Sequence, residues 1–389
     1  MSHVELERQL LDFVIRMLPE SDPPLAVHVE TALFEEGVID SLRVLDLIAF
    51  IEEATRSRIP DEAVRLANFR SVRAIANAFA NHGDGSTGRA KGAPGDDGEP
   101  IHVFERRPRR AGFSRPVEEL AARGFLAVVP PGRMVFRGSA EKLRRYFDSV
   151  VRTWAAGMGA EVQRCPSLLS IETLTRAGCP GAAASGETGL PPAACYHVYG
   201  AREGARLGHA PLLVTGRGRC FRDEPLLEPS RGRLRVFEMR EIVALGSRTD
   251  VDEFRREMID RVAALVSELG LEGRIETASD PFFLQGPGLP EPKGRRLMQQ
   301  VLPLKYELLL ALDERNTCAV ASFNHHLDFF GRRFHMRLAS GAIAQSGCVA
   351  FGLERWVLAF LAQHGIDERT WPVAVGEFRL KEVEHGRIA

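Results

Sequence analysis

Apolar residues recur at helical spacing over the first 80 residues of the chain, and this periodicity stops at a polar segment. A further short helix is expected to start near Ser71. Residues 81–100 are rich in Gly, Asp and Pro and lack apolar periodicity, so they predict a flexible linker. The predicted organisation is a helical domain at 1–80, a linker at 81–100 and a larger domain at 101–389. The two apolar stripes comprise Leu6, Leu10, Leu11, Val14, Ile15 and Leu18, then Leu45, Leu47, Ile48 and Ile51.

The larger domain mixes helical and strand-like patterns. Helical spacing covers residues 140–156, 251–269 and 353–364, whereas strand-like runs lie at 233–246 and 317–324. The strand-like runs group in the middle and at the end of the domain. This grouping favours an antiparallel sheet flanked by helices over a regular βαβ repeat. The predicted fold class is therefore α+β, preceded by a helical bundle.

Composition and charge exclude several classes of protein. The 389 residues are 44% hydrophobic and 26% charged, which excludes general disorder. A formal charge of -1 gives no overall attraction to nucleic acid or to a membrane surface. No apolar run approaches the roughly 20 residues that span a bilayer. We expect a cytoplasmic protein without a membrane partner, whose six cysteines are reduced thiols, metal ligands or both.

The pair Asp40–Ser41 precedes the second helical stripe. Either side chain can cap a helix, and a simple capping pair is the ordinary interpretation of such a dipeptide. Together with Leu42 and the acidic helix that follows, however, the pair forms a D-S-L motif. Over residues 1–80 the chain resembles an acyl or peptidyl carrier protein. The resemblance implies a four-helix bundle with 4′-phosphopantetheine on Ser41, and an unmodified helical interaction domain is the alternative.

Two strand-like pieces joined by a loop predict a β-hairpin in the middle of the larger domain. Arg222 and Glu224 share a face of the first strand, and Phe237, Met239 and Glu241 share a face of the second. An arginine near a carboxylate and an aromatic ring suits a planar, anionic ligand, although a surface salt-bridge ladder would contain the same residues. The sequence has neither a P-loop nor a G-x-G-x-x-G after a strand, so neither of those sites would hold a nucleotide.

Two further segments complete a set of three. One runs from a Gly-rich strand end into an apolar helix with Arg355 in its first turn, where a cation opposes the helix dipole and calls for an anionic partner. The other, GAEVQRCPSLLS, contains Pro166 and follows an amphipathic helix. Taken in their order along the chain, the Pro166 segment, the hairpin and the Arg355 segment resemble motifs 1, 2 and 3 of the class II aminoacyl-tRNA synthetases. Pro166 matches motif 1, Arg222, Glu224 and Phe237 match motif 2, and Arg355 matches motif 3.

This resemblance implies homodimerisation through motif 1 and activation of an amino acid as its adenylate. It implies that Arg222 binds the α-phosphate of ATP, that Arg355 binds the γ-phosphate and that Phe237 stacks on adenine. Glu224 is expected to be a further catalytic residue of the same ATP site. Charge that develops on phosphorus and on pyrophosphate needs fixed cations, here arginine and Mg²⁺. The segment FNHHLDFFGRRF resembles the catalytic core of seryl-tRNA synthetase. Its adjacent histidines are expected on opposite faces of a strand, where they cannot easily share a metal ion.

Spacing alone predicts lone, buried cysteines, because the sequence has no C-x-x-C pair. Atypical archaeal seryl-tRNA synthetases and the similar amino acid:[carrier protein] ligases, however, hold zinc with a Cys–Glu–Cys set. Cys195, Glu241 and Cys348 occupy the matching places in this sequence. The resemblance therefore implies a zinc ion with one position left open for the substrate amino group. Glu238 is the rival carboxylate, but it is expected on the opposite face of the strand from Glu241.

The two similar families differ in what accepts the activated amino acid. A seryl-tRNA synthetase needs a tRNA-reading arm, and the sequence shows no charged heptad hairpin. The resemblance thus favours an amino acid:[carrier protein] ligase that passes a small amino acid, glycine or alanine before serine, to a phosphopantetheine thiol. The acceptor is the carrier fused at Ser41 or a further carrier protein, and tRNA is not an expected partner. The alternatives are a true seryl-type aminoacyl-tRNA synthetase and a catalytically silent scaffold.

Overall fold

The structure is a computed structural model that divides into two compact units. Of the described residues, the first unit contains 2–80 with Ala278 and Leu304, and the second contains 101–277 and 305–384. Asp40, Ser41, Leu42, Glu224 and the predicted linker 81–100 lie outside the described residues, so the predicted domain limits stay predictions. The structure describes residues 2–18, 26–34, 38–39, 43–60, 63–64, 66–80, 101–104, 115–130, 132–179, 184–222, 227–278 and 304–384.

The first unit is helical, as the apolar stripes predict. Its described part contains four helices: α1 (His3–Met17), α2 (Arg43–Thr55), α3 (Leu66–Phe69) and α4 (Val72–Phe79). Helix α1 buries Leu6, Leu10 and Val14, because residues four apart share one face of a helix. Helix α4 begins where expected, since the Ser71 side chain caps it by accepting the Ala74 N–H at 3.1 Å.

Among the described residues, the second unit is built on an eight-stranded sheet. Its strands are β1 (His102–Phe104), β4 (Glu161–Arg164), β8 (Leu212–Phe221), β9 (Val236–Gly246), β10 (Gly273–Thr277), β11 (Lys305–Ala311), β12 (Thr317–Leu327) and β13 (Gln345–Gly352). They lie in the order β1-β10-β11-β12-β13-β9-β8-β4, and neighbouring strands are antiparallel except for the pair β4 and β8, which is parallel. Two small sheets contain β2 (Leu126–Val129) and β3 (Arg133–Phe136), and β5 (Leu169–Ser170), β6 (Ala184–Ser185) and β7 (Thr188–Gly189).

Helices cover this sheet and complete the predicted α+β fold. The hydrophobic core lies between the sheet and three long helices, Gly138–Gly157, Arg248–Leu269 and Leu353–His364. The rings of Phe147 and Trp356 meet there, with 4.9 Å between their centroids. In the described part of the chain the helices of this unit are α5 (Pro116–Ala122), α6 (Gly138–Gly157), α7 (Ile171–Arg176), α8 (Cys195–Ala201), α9 (Arg248–Leu269), α10 (Phe329–Arg333), α11 (Leu353–His364) and α12 (Val373–Glu384).

Local capping decides where the predicted elements end. Helix α9 begins three residues earlier than its apolar pattern indicates, because Ser247 and Asp250 form a capping box. Helix α11 has the predicted bounds at both ends. Strand β9 begins at Val236 rather than at Arg233, which instead forms an isolated bridge with Glu228. Within the described residues, no helix is both long enough and apolar enough to cross a bilayer.

Candidate functional site

Two cysteines and a glutamate from distant parts of the sequence meet in the second unit. Cys195 begins α8, Glu241 lies on β9 and Cys348 lies on the neighbouring strand β13. Their ligand atoms all lie within 4.8 Å of one another, and each residue is 1% exposed. Strand pairing explains the meeting of two of them, since Val243 opposes Cys348 and Ala350 opposes Glu241, which puts both on one face. The structure therefore brings together the three residues that the sequence singles out.

The start of helix α8 fixes the orientation of Glu241. One carboxylate oxygen accepts the Ala194 N–H at 2.7 Å, and the other accepts the Cys195 N–H at 3.2 Å. Free N–H groups at a helix start favour a carboxylate in this position. Glu238, the rival carboxylate, lies elsewhere, because its Oε2 accepts a hydrogen bond from Arg144 Nη1 at 2.7 Å. The alternation of β9 therefore places Glu241, and not Glu238, beside the cysteines.

The chemistry of the three side chains fits a bound cation. Burial raises the pKa of Cys195, Glu241 and Cys348, because an ionised group loses hydration in the interior. Three buried acids can ionise together only when a positive charge compensates them, and thiolates and carboxylates are both ligands that zinc takes in proteins. Beside them, Asn324 Oδ1 is buried without a hydrogen-bond partner among the described residues. An unpaired acceptor next to the cluster is also consistent with a ligand at this place.

The predicted motif 2 residues Arg222 and Phe237 lie at the loop end of the β8–β9 hairpin. Arg222 follows the last residue of β8, and its guanidinium carbon lies 5.1 Å from the centroid of the Phe237 ring. Its Nε donates to the Pro192 carbonyl at 3.3 Å. Both side chains are half-buried. The hairpin thus places a cation and an aromatic ring side by side, whereas Glu224 lies outside the described residues.

Arg355, in the first turn of α11, is held by backbone carbonyls. Its Nε donates to the Gly232 oxygen at 3.0 Å and its Nη1 donates to the Ala319 oxygen at 2.9 Å. Gly232 has a φ of +67°, and a Cβ atom there would lie 2.9 Å from Arg355 Cγ, so both conformation and space require glycine. The helix dipole predicts that a cation in the first turn needs a negative partner, and the negative ends of these two carbonyl groups meet part of that need. The guanidinium is therefore fixed in position by the fold.

Several side chains that contact the cluster were not predicted from the sequence. Asn324 Nδ2 donates to the Cys348 sulfur at 3.5 Å, and His326 Nε2 lies 3.7 Å from the same atom. The neighbouring His325 faces away, with its Nε2 3.6 Å from Asp252 Oδ1. The adjacent histidines therefore do lie on opposite faces. The polar residues within the otherwise apolar segment FNHHLDFF are the only feature of the sequence that marks these side chains.

The fold is similar to that of class II synthetases of known structure. The chain superimposes on M. kandleri seryl-tRNA synthetase, solved with A. aeolicus tRNASec, with a TM-score of 0.61 over 80% of this chain and 68% of that chain, at 21% identity. The cytoplasmic serine-tRNA ligase from Naegleria fowleri, solved with AMP, gives a TM-score of 0.59 over 72% of this chain and 63% of that chain, at 15% identity. The class II synthetase-like fold predicted from the motifs is thus confirmed.

Sequence comparison points to a more particular resemblance. No family model matches the chain. Amino acid--[acyl-carrier-protein] ligases 1 and 2 of Bradyrhizobium diazoefficiens are each 38% identical, over 188 and 197 residues, and in both cases the match covers 48% of this chain. The Type-2 serine--tRNA ligase of Methanothermobacter thermautotrophicus is 35% identical over 157 residues, which are 40% of this chain and 30% of that protein. The chain spans 56% and 54% of the two ligases, about half their length.

Proposed function

We propose that the chain activates a small amino acid with ATP and transfers it to the phosphopantetheine thiol of a carrier protein. The observation that carries the proposal is the buried cluster of Cys195, Glu241 and Cys348 in a class II synthetase fold. Glycine and alanine are the favoured substrates and serine is the next candidate. The similarity to two amino acid--[acyl-carrier-protein] ligases supports a carrier thiol, rather than tRNA, as the acceptor.

The cluster is the proposed binding site for the substrate amino group. Cys195, Glu241 and Cys348 would hold a zinc ion as its three protein ligands, and such a site would leave one position open for a neutral amine. The chain supplies the rest of the recognition by fixing its own ligands. Hydrogen bonds from the Ala194 and Cys195 N–H groups hold both oxygens of Glu241, and the strand pairing of β9 with β13 sets Cys348 opposite Val243, on the same face as Glu241. A rigid set of ligands orients the amine and hence the carboxylate that attacks ATP.

The motif residues are the proposed ATP site. Arg222 binds the α-phosphate, Phe237 stacks on adenine, Arg355 binds the γ-phosphate, and Glu224 and Mg²⁺ complete the site. The contact between Arg222 and Phe237 supports a shared ligand, since one flat nucleotide can touch both groups. The carbonyl bonds of Arg355 support a cation that is in place before the reaction. A preorganised charge stabilises the transition state without a further cost of reorganisation.

The carrier function is proposed for the first unit, with 4′-phosphopantetheine on Ser41. The four described helices agree with the bundle that the D-S-L motif implies. A linker of about 20 residues spans roughly 25 Å as a coil and up to ~65 Å when stretched. A tethered thiol reaches an effective concentration on the order of mM, so a weak domain contact suffices for transfer. Ser41 can be loaded by its own chain, by a dimer partner, or as one carrier among several.

Homodimerisation through motif 1 is part of the same proposal. Motif 1 corresponds to α6, β4 and the segment around Pro166. Strand β4 is an edge strand of the large sheet, and its Val162 is 78% exposed. An exposed apolar residue on an unpaired strand edge favours contact with a second chain. Sedimentation of the purified protein tests this, with a dimer expected and a monomer at micromolar concentration contradicting it.

A seryl-type aminoacyl-tRNA synthetase is the second candidate function. The 35% identity with a Type-2 serine--tRNA ligase over 157 residues supports it, although the identity with the first ligase is 38% over 188 residues. The two functions share the adenylate and differ only in the acceptor. Charging of total tRNA with serine by the purified protein would reveal this second function.

Intact-mass spectrometry of the full chain tests the proposal directly. The phosphopantetheinylated protein is incubated with ATP, Mg²⁺, Zn²⁺ and each of glycine, alanine and serine. The expected result is one aminoacyl mass increment with the preferred amino acid, and none in Ser41→Ala, which still catalyses ATP–pyrophosphate exchange. Equal labelling of the parent and of Ser41→Ala would contradict loading of the fused carrier. Absence of exchange in both would contradict amino acid activation.

A further inference from the structure

The ring of His326 connects the cysteine cluster to two hydroxyl groups. Its Nε2 lies 3.7 Å from Cys348 Sγ, and its Nδ1 lies 3.2 Å from both Ser346 Oγ and Tyr199 Oη. The side chain is fully buried, with 0% exposure. Tyr199 lies four residues after Cys195 on α8, so it occupies the same helix face as that ligand. The ring therefore lies between the Cys348 sulfur on one side and the Ser346 and Tyr199 hydroxyl groups on the other.

The two tautomers of the neutral imidazole would use these contacts differently. A neutral ring has one N–H and one acceptor nitrogen, and a hydroxyl can donate to the acceptor. Where the hydroxyls of Ser346 and Tyr199 donate to Nδ1, the hydrogen is on Nε2 and points at Cys348. The opposite tautomer would direct a lone pair at the sulfur, which is repulsive when that sulfur is a thiolate. The arrangement thus favours an Nε2–H donor to Cys348.

The backbone of β12 is shaped to present this ring. His325 pairs with Gly347 and Leu327 pairs with Ser346, so His326 is the extra residue of a β-bulge. Leu327 has a φ of +51°, an uncommon value for a residue with a side chain. His325 Nδ1 accepts the Leu327 N–H at 2.9 Å and so stabilises the bulge from the other face. A bulge re-aims a side chain, and here it directs the imidazole at the cluster.

Charge explains why such a donor is needed. Two thiolates and a carboxylate carry three negative charges, and a divalent zinc ion compensates only two of them. A net buried charge is costly unless hydrogen bonds offset it. Glu241 receives two backbone N–H groups, and Cys348 receives the Asn324 amide. The His326 N–H is the further donor in the same shell.

We propose that His326 is a positioning residue of the metal site, which donates from Nε2 to the Cys348 thiolate and thereby sets its orientation and its electron donation. The inference rests on the proposed zinc site. Outer hydrogen bonds of this kind typically change metal affinity by about 10- to 100-fold. The same bond stabilises the sulfur lone pairs, so its loss moves the sulfur-to-metal charge-transfer absorption to lower energy.

Zinc affinity and the absorption spectrum of the cobalt-substituted full chain test the inference. His326→Phe keeps the ring shape but removes the donor, and we expect zinc affinity to fall about 10- to 100-fold with a red shift of the cobalt charge-transfer band. His326→Gln keeps a donor near Nε2, and it should restore both properties most of the way. His364→Phe is the control, because His364 likewise contacts an aromatic ring but bonds to the Leu269 carbonyl, and it should change neither property.

A milder change keeps the test valid where His326→Phe does not fold. Ser346→Ala removes a hydroxyl partner of Nδ1 and should move the cobalt band in the same direction by a smaller amount. Unchanged affinity and spectrum in these variants would overturn the inference. X-ray absorption of the zinc-loaded parent that shows imidazole scattering would also overturn it, because His326 would then be a ligand. Failure of the parent itself to bind one zinc ion would instead count against the proposed function.

Discussion

Glu354 accepts the backbone N–H of Glu238 with both carboxylate oxygens, each at 3.0 Å. The bond joins the first turn of α11 to β9, and it therefore ties the segment that resembles motif 3 to the segment that resembles motif 2. Burial raises the pKa of Glu354 to about 7, although the hydrogen bond from Glu238 opposes the shift. The carboxyl group that connects the two motifs thus titrates near neutral pH.

Glu354 makes the stability of the fold depend on pH. Its pKa rises from 4.5 to about 7 on folding, so between these values the folded state keeps a proton that the unfolded state releases. The contribution of the protonated Glu354 to the free energy of unfolding is complete below pH 4.5 and is lost as the pH rises through about 7. We expect the parent to lose on the order of 3 kcal/mol relative to Glu354→Gln over this interval. Urea unfolding at several pH values measures the difference, and parallel pH profiles would contradict it.

The cluster should account for nearly all zinc binding. Cys195→Ser, Glu241→Gln and Cys348→Ser each remove a proposed ligand. Zinc affinity should therefore fall by more than the roughly 100-fold that loss of an outer hydrogen bond costs. Cys318→Ala is the control, because Cys318 is also buried but belongs to the hydrophobic core. Chelator competition measures the affinity, and a Glu241→Gln variant that binds zinc like the parent would refute the assignment of that ligand.

The arginines should matter for adenylate formation more than for stability. Arg222→Ala and Arg355→Ala remove proposed transition-state cations, and each should lower kcat of ATP–pyrophosphate exchange by about 10²- to 10³-fold. Arg219→Ala is a control on the same hairpin, since Arg219 is exposed and pairs in register with Glu238 rather than with Phe237. Equal rates for Arg222→Ala and Arg219→Ala would exclude the proposed role of Arg222.

A buried ion pair joins the segment that resembles motif 1 to the segment that resembles motif 2. Arg240 on β9 donates from Nε to Asp148 on α6 at 2.6 Å, and Arg240 is only 7% exposed. Removal of one partner leaves a buried charge without compensation, so Asp148→Ala should lower the free energy of unfolding by about 3–5 kcal/mol. The double variant Asp148→Ala with Arg240→Met should recover much of this loss. Chemical unfolding measures both, and additive losses would argue against coupling between the two residues.

Regular periodicity predicts much of this fold, because it reports which faces are buried. Helix α11 has the bounds that its apolar run indicates, since a glycine precedes it and another follows it. Side chains alternate between the two faces of a strand, so the sequence alone predicts that Glu241 and Glu238 lie on opposite faces of β9. The meeting of Cys195 with the two strand residues could not be derived from spacing. The family resemblance alone indicated it.

Irregular features were beyond the sequence because they depend on distant partners. The bulge that presents His326 exists through pairing with Ser346 and Gly347, and no residue pattern within β12 marks it. Arg355 finds its carbonyls on Gly232 and Ala319, which are far from it along the chain. A helix-dipole argument therefore predicts that Arg355 needs negative partners but cannot name them.

The most direct test of the central claim is anomalous X-ray diffraction at the zinc edge from crystals of the full chain grown with zinc. The account predicts one strong peak within bonding distance of Cys195 Sγ, Cys348 Sγ and a carboxylate oxygen of Glu241. With the preferred amino acid added, electron density for its amino group should adjoin the same peak. A peak at another place, or two cysteines without an anomalous signal between them at saturating zinc, would contradict the account.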